Sequence, residues 1–210
     1  SVMFVFIVAL AFPHNPAGNW YQQFLPFPTG GQVRDICFVD SLLGFAVSDS
    51  SILKTTNSGD NWTVKQTGYY IFNRIIFLNT NTGFASGGNN TLLKTINSGE
   101  NWTPISLPST FTFDMSVVSQ DSIWLVNTNG LTGGVFRTTN GGASWDQQLN
   151  LGSLNPNKIY MYNARIGFIT EEGGGTRYVR KTTNSGDNWN QILINDDYIN
   201  IEFADSLTGW

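Results

Sequence analysis

Nine residues before each Gly-aromatic step, or its equivalent, stand Asp35, Arg74, Asp114, Lys158 and Asn200. The series runs acid, base, acid, base, amide, and such groups brought to one place could grip a polar ligand. Asp35 and Asp114 are the one symmetric pair of carboxylates, and glycoside hydrolysis needs two that face each other about 5–10 Å apart. The plainer alternative carries more weight: neighbouring charges that satisfy one another, since structural ion-pair networks imitate sites. Aromatic residues precede or accompany these positions, namely Tyr69, Tyr70, Phe72, Phe111, Phe113 and Tyr198. Exposed rings beside polar groups suit sugar stacking or a protein interface, although alternate members of a strand must face a core. The pairs Glu171-Glu172 and Asp196-Asp197 read as solvated charge in turns. His14 is the only histidine, so no Ser/His or Cys/His nucleophile and no zinc spacing can be assembled around it. Nothing in the sequence requires a cofactor or a metal.

A repeat must place these residues. Trp20, Trp62, Trp102, Trp145 and Trp189 follow one another at steps of 42, 40, 43 and 44 residues. Four of them end the same eight-residue box, Thr-x-Asn-x-Gly-x-x-Trp, at 55–62, 95–102, 138–145 and 182–189. The Asn residues (Asn57, Asn97, Asn140, Asn184) can accept backbone hydrogen bonds across a turn. Gly59, Gly99, Gly142 and Gly186 supply positive φ, and each Trp covers the hairpin with a large apolar face. Turn chemistry accounts for the whole box, so its residues are structural.

Between boxes runs one template: apolar strand, polar turn, Gly-aromatic strand, short turn, strand ending in Lys/Arg-Thr, box, last strand. Ile123 stands where the third period should have glycine, which marks that period as degenerate. Short strands at a strict period near 40 residues predict an all-β propeller of four-stranded antiparallel blades. The expected periods are 20–62, 62–102, 102–145, 145–189 and 189–210, about four and a half blades of a ring of roughly 6–8. Trp20 reads as the end of a box whose blade is missing, and the fifth blade stops at Gly209-Trp210. A fragment is therefore expected. In such a ring the boxes lie on one face, and the five polar positions on the other, around the mouth of the central channel.

Composition agrees. There are 22 glycines, 14% aromatic residues and 12% charged ones, the last well under the usual quarter. A formal charge of −4 leaves no basic footprint for nucleic acid. Val2–Phe12 is apolar but too short to span a bilayer. It has the character of a signal-peptide core ending in the small-x-small site Ala9-Leu-Ala11, so 1–11 is read as a leader remnant, 12–19 as a linker, and the protein as exported. The single cysteine, Cys37, lies in an apolar strand, where it behaves as a small hydrophobe.

The box resembles the Asp-box, or bacterial neuraminidase repeat, with Asn in the usual Asp position. This repeat occurs in sialidases, some glucan hydrolases, sorting receptors and the photosystem II assembly/stability factors. The longer pattern, best seen at 33–62 and 71–102, is most similar to the last of these and to exported bacterial relatives. That resemblance implies a non-catalytic propeller that binds a partner protein. The reading is a protein or glycan binder, with ligand contacts at Asp35, Arg74, Asp114, Lys158, Asn200, Tyr69, Tyr70 and Tyr198. The alternatives are photosystem assembly work and, third, a glycosidase. A sialidase grips its substrate with three arginines, the first followed by Ile-Pro. Here Arg34 is followed by Asp-Ile, while Arg137 and Arg180 sit at box-adjacent strand ends.

Overall fold

The computed structural model describes residues 25–26, 32–68, 71–108, 111–128, 133–173 and 176–194. Sixteen strands and no helix occur among them. They form four separate antiparallel sheets, each with its strands in sequence order. Blade 1 is β1 (Val33–Phe38), β2 (Gly44–Ser48), β3 (Ser51–Thr55) and β4 (Thr63–Thr67). Blade 2 is β5 (Ile71–Phe77), β6 (Gly83–Gly88), β7 (Thr91–Thr95) and β8 (Thr103–Pro104). Blade 3 is β9 (Phe111–Val117), β10 (Ile123–Thr128), β11 (Gly133–Thr138) and β12 (Asp146–Gly152). Blade 4 is β13 (Asn155–Met161), β14 (Gly167–Gly173), β15 (Thr176–Thr182) and β16 (Asn190–Ile194). The first strands β1, β5, β9 and β13 adjoin one another in turn, so they are the innermost strands of a propeller. Residues 1–24, with Trp20, the leader-like stretch and His14, lie outside the described residues, as does the expected fifth blade after 194.

Second strands are buried on both faces: β2 is buried throughout, as is β6, whose blade lies between blades 1 and 3. Cores therefore form between blades and not within them. Phe45, Val47 and Ile52 of blade 1 pack with Phe72, Ile75, Leu93 and Trp102 of blade 2. Phe84 and Leu92 meet Met115, Ile123 and Leu125 at the next interface. Trp124, Val126 and Val135 meet Ile159, Met161 and Trp189 at the third. Trp102, Trp145 and Trp189 thus seal their blades to the one before, while Trp62 packs with Ala46, Leu53 and Leu25.

The box is one hydrogen-bond motif built four times. In blade 2 the Thr95 hydroxyl donates to Asn97 Oδ1 (3.0 Å) and accepts from the Gly99 amide (3.0 Å). Asn97 Oδ1 also accepts from the Asn101 amide at 3.0 Å. The same contacts recur around Asn57, Asn140 and Asn184. At Gly99 φ is +74°, and an added Cβ would lie 2.6 Å from the Phe45 ring of the previous blade. Conformation and space both demand glycine there. Every one of these Asn contacts uses Oδ1 as an acceptor, which a carboxylate does as well. Asn97→Asp should therefore leave stability within about 0.5 kcal/mol, whereas Asn97→Ala orphans the Asn101 amide and should cost roughly 1–3 kcal/mol. Urea unfolding of the two variants checks this.

Blade 3 proves a complete four-stranded sheet in spite of Ile123. The reason is a size exchange between cross-strand partners. Phe38 faces Gly44, Phe77 faces Gly83 and Met161 faces Gly167, but Val117 faces Ile123. A Cβ at Gly44 or Gly83 would sit 2.6 Å from the partner's ring. Where the inner strand carries the smaller Val117, the second strand has room for isoleucine.

Candidate functional site

Each innermost strand carries a β-bulge at the same place. The pairing slips between Val33 and Asp35, between Phe72 and Arg74, between Thr112 and Asp114, and between Pro156 and Lys158. One extra residue is accommodated each time: Arg34, Asn73, Phe113 and Asn157. A bulge re-aims the side chain that follows it, and those side chains are Asp35, Arg74, Asp114 and Lys158. Counting back from the Gly-aromatic step finds them because the bulge recurs in every described blade. They lie near the starts of the innermost strands. The boxes lie at the opposite end, held to the turns between first and second strands by bonds such as Ser58 N to Leu42 O and Ser98 N to Asn81 O.

The structure brings three of these positions into contact. Arg74 Nη1 is 3.6 Å from Asp35 Oδ2, and Arg74 Nε is 3.4 Å from Asp114 Oδ1. One guanidinium thus bridges carboxylates from the blades on either side. The carboxylates also reach forward one blade. Asp35 Oδ2 accepts from the Ile75 amide at 2.9 Å, and Asp114 Oδ2 from the Ile159 amide at 3.1 Å. Ser116 Oγ repeats this toward the Met161 amide at 2.9 Å. Asp114 is 3% exposed, against 19% for Asp35 and 34% for Arg74. Burial pushes the Asp114 carboxyl above its ordinary range, opposed by the charges of Arg74 and Lys158. The arrangement stitches blades together and presents chiefly the Arg74 head to solvent. Asn200, Tyr69, Tyr70 and Tyr198 lie outside the described residues.

Other expectations need correction. Phe72 is fully buried and belongs to the core between blades 1 and 2, because its strand turns it toward Val47. Glu171 is not solvated: it is 1% exposed, and its Oε1 accepts from Arg180 Nε at 2.8 Å. Burial raises its pKa, with Arg180 opposing. Glu172 pairs instead with Arg177 at 3.3 Å. Phe113, the extra residue of its bulge, is 37% exposed, and Val33 and Ile71 at the starts of β1 and β5 are 44% and 42% exposed. Cys37 is half-buried and unbridged, its thiol pushed up by burial. Among the described residues no group of three or more His, Cys, Asp or Glu side chains could hold a metal. No helix among the described residues is long and apolar enough to cross a membrane.

Sequence reasoning missed a set of stacked cations. Lys54 lies 5.9 Å from the centroid of Phe45, Lys94 5.6 Å from Phe84, Arg137 5.1 Å from Trp124 and Lys181 5.4 Å from Phe168. Each pair is a direct cross-strand partnership. The signal was available: the aromatic after the glycine and the cation before the box Thr recur at fixed distances from their turns. Lys54 is also bound from the next blade by Glu100 (2.7 Å), which holds Lys65 at 2.8 Å too. Hydrogen bonds from both ammonium groups bring the Glu100 pKa down from 4.5 to about 2. A lowered carboxylate contributes stability present above its unfolded pKa and lost as pH falls toward the folded one. Wild type should therefore lose stability between about pH 4.5 and about pH 2, and Glu100→Gln should flatten that part of an acid titration followed by circular dichroism. Half exposure of Glu100 keeps the effect small.

Residues 13–112 match the family described as photosynthesis system II assembly factor YCF48. A search of curated proteins found no significant match. Among solved structures, YCF48 bound to D1 peptide is similar at TM-score 0.68 and 19% identity, over 92% of this chain and 62% of that one. YCF48 from Cyanidioschyzon merolae aligns at TM-score 0.62 and 17% identity, over 91% of this chain and 70% of the other. A GH74 enzyme from Niastella koreensis aligns at TM-score 0.63 and 18% identity, over 74% of this chain and 28% of the enzyme. The chain thus spans under two thirds of the YCF48 chain in the D1 peptide structure. The chain is a β-propeller with Asp-box-like turns, similar in fold to the photosystem II assembly factors.

Proposed function

We propose that the chain is an exported, non-catalytic propeller that binds an extended segment of a partner protein across its channel-mouth face. One observation carries this reading. Val33, Ile71 and Phe113 stand exposed on successive innermost strands, beside an Arg74 head whose acidic neighbours are already engaged between blades. Apolar side chains next to a cation suit a peptide with apolar and acidic groups. The D1 peptide bound to YCF48 supports a peptide ligand on this scaffold, and the leader-like Val2–Phe12 supports export. The engagement of Asp35 and Asp114 with neighbouring backbone weighs against their use as a free acid–base pair.

The test is an array of synthetic peptides, the D1 peptide among them, probed with the whole chain and with an Ile71→Ser/Phe113→Ala variant. Saturable capture that the variant weakens at least tenfold is the expected outcome. Capture indifferent to these residues, or hydrolysis of xyloglucan by the wild type, would overturn the reading.

A further inference from the structure

Behind the collar, at one level of the ring, three blade interfaces are filled in three different ways. Between blades 1 and 2 the positions are Val47, Phe72 and Gly87: the Phe72 ring packs with Val47, and a Cβ at Gly87 would collide with the backbone of Ile71 and Phe72. Between blades 3 and 4 they are Val126, Pro156 and Glu171, and Glu171 is neutralised by Arg180. Between blades 2 and 3 they are Ser86, Thr112 and Asn127.

The strand registers turn these three residues toward each other. Ser86 is the cross-strand partner of Leu92, and Asn127 lies two residues beyond Leu125 on β10. Leu92 and Leu125 share the core between blades 2 and 3, and side chains two apart, or directly opposite on neighbouring strands, share a face. Thr112 is the partner of Asn127. Ser86 is 0%, Thr112 1% and Asn127 1% exposed. Ser86 Oγ, Thr112 Oγ1 and both amide atoms of Asn127 are buried with no hydrogen-bond partner among the described residues. Arg74 Nε and Asp114 Oδ1 are likewise buried without a hydrogen bond of good geometry, and Arg74 is the cross-strand partner of Ser86. Two of these six atoms carry donors, two are pure acceptors and two are hydroxyls. Leaving such groups unpaired costs about 1–3 kcal/mol each.

We propose that this interface is an internal hydration site, in which about two ordered waters, each making about three hydrogen bonds, join Ser86, Thr112 and Asn127 to the back of the Arg74–Asp114 pair. The ligand class is water: the groups are too deeply buried for a partner molecule to reach, and both donors and acceptors need satisfying. Of the two flanking interfaces one is apolar, and in the other Arg180 holds Glu171 Oε1 and leaves only Oε2 unpartnered among the described residues.

A crystal structure of the whole chain, at a resolution that shows ordered solvent, tests this. The expected result is solvent density within hydrogen-bond distance of Asn127 and at least one of Ser86 and Thr112. The comparison is Ser86→Val/Thr112→Phe/Asn127→Gly, which transplants the residue set of the first interface and should lose that density while keeping the fold. Should the triple variant not fold, water-to-amide cross-relaxation at the Asn127 side chain of the wild type decides: it should be present, and Ser86→Val should weaken it. A dry interface in the wild type, or an Asn127 amide bonded directly to protein, would overturn the proposal.

Discussion

Replacing Arg180 with leucine should cost about 3–5 kcal/mol of folding stability, read as a shift in urea midpoint. The side chain of Glu171 is 0% exposed and its salt bridge runs at 2.8 Å to Arg180 Nε. Its other oxygen has no hydrogen-bond partner among the described residues, so the guanidinium is its main compensation. Without Arg180 the carboxyl must stay charged in a dry interface or take up a proton. The sign of the pH dependence follows. The folded pKa of Glu171 already lies above its ordinary value, and losing Arg180 raises it further. In the window above the ordinary Glu value the native state then holds a proton that the unfolded chain has released. Stability of Arg180→Leu should therefore fall as pH rises above the ordinary Glu value, more steeply than in wild type. Adding Glu171→Leu should restore most of the loss, because an apolar pair of similar volume replaces a desolvated ion pair at little cost. A double variant as unstable as the single would mean that packing of the Arg180 stem, and not its charge, is what matters.

Phe45→Ala should cost a similar amount, about 3–5 kcal/mol. Its ring is fully buried, stacks on Phe77 of the next blade at 3.8 Å with the planes 12° apart, and fills the space above Gly99. The same side chain seats the Lys54 ammonium. One truncation thus opens the interface between blades 1 and 2. Phe38, at the inner-strand position equivalent to Phe77, is the control. It is 45% exposed and touches Trp62 edge-on at 6.1 Å, so Phe38→Ala should cost no more than about 1.5 kcal/mol. Equal losses at the two sites would contradict a core located between blades.

What could be read from the sequence was what depends on local chemistry. The Thr-x-Asn-x-Gly-x-x-Trp box is a turn whose hydrogen bonds stay within eight residues, so its repetition carried the four described blades and the end of them at which the boxes lie. The positions of Asp35, Arg74, Asp114 and Lys158 could be counted because a bulge at a fixed distance from the glycine re-aims each one. The bulge itself left no mark in residue type: its extra residues are Arg34, Asn73, Phe113 and Asn157. Ion pairing of these charges between blades was legible from their alternating signs, but their backbone partners were not, since those bonds join residues about 40 apart, as between Asp35 and Ile75. Glu171 shows the same limit. Next to Glu172 it read as solvated charge, yet strand alternation sends the two to opposite faces, one of which is packed against blade 3. Ile123 was legible as an exception but not as a compensated one, because its explanation, Val117, sits on another strand.

The central claim is that the collar joins blades and leaves the surrounding rim for a partner. The thermal midpoint of Asp114→Ala tests it most directly. That substitution orphans the Ile159 amide and leaves Arg74 with only Asp35. A loss of about 3 kcal/mol corresponds to a midpoint lowered by roughly 6–12 °C for a chain of this size, and this is the predicted result. A midpoint unchanged from wild type would contradict it, and would return Asp114 to the list of residues held ready for a ligand.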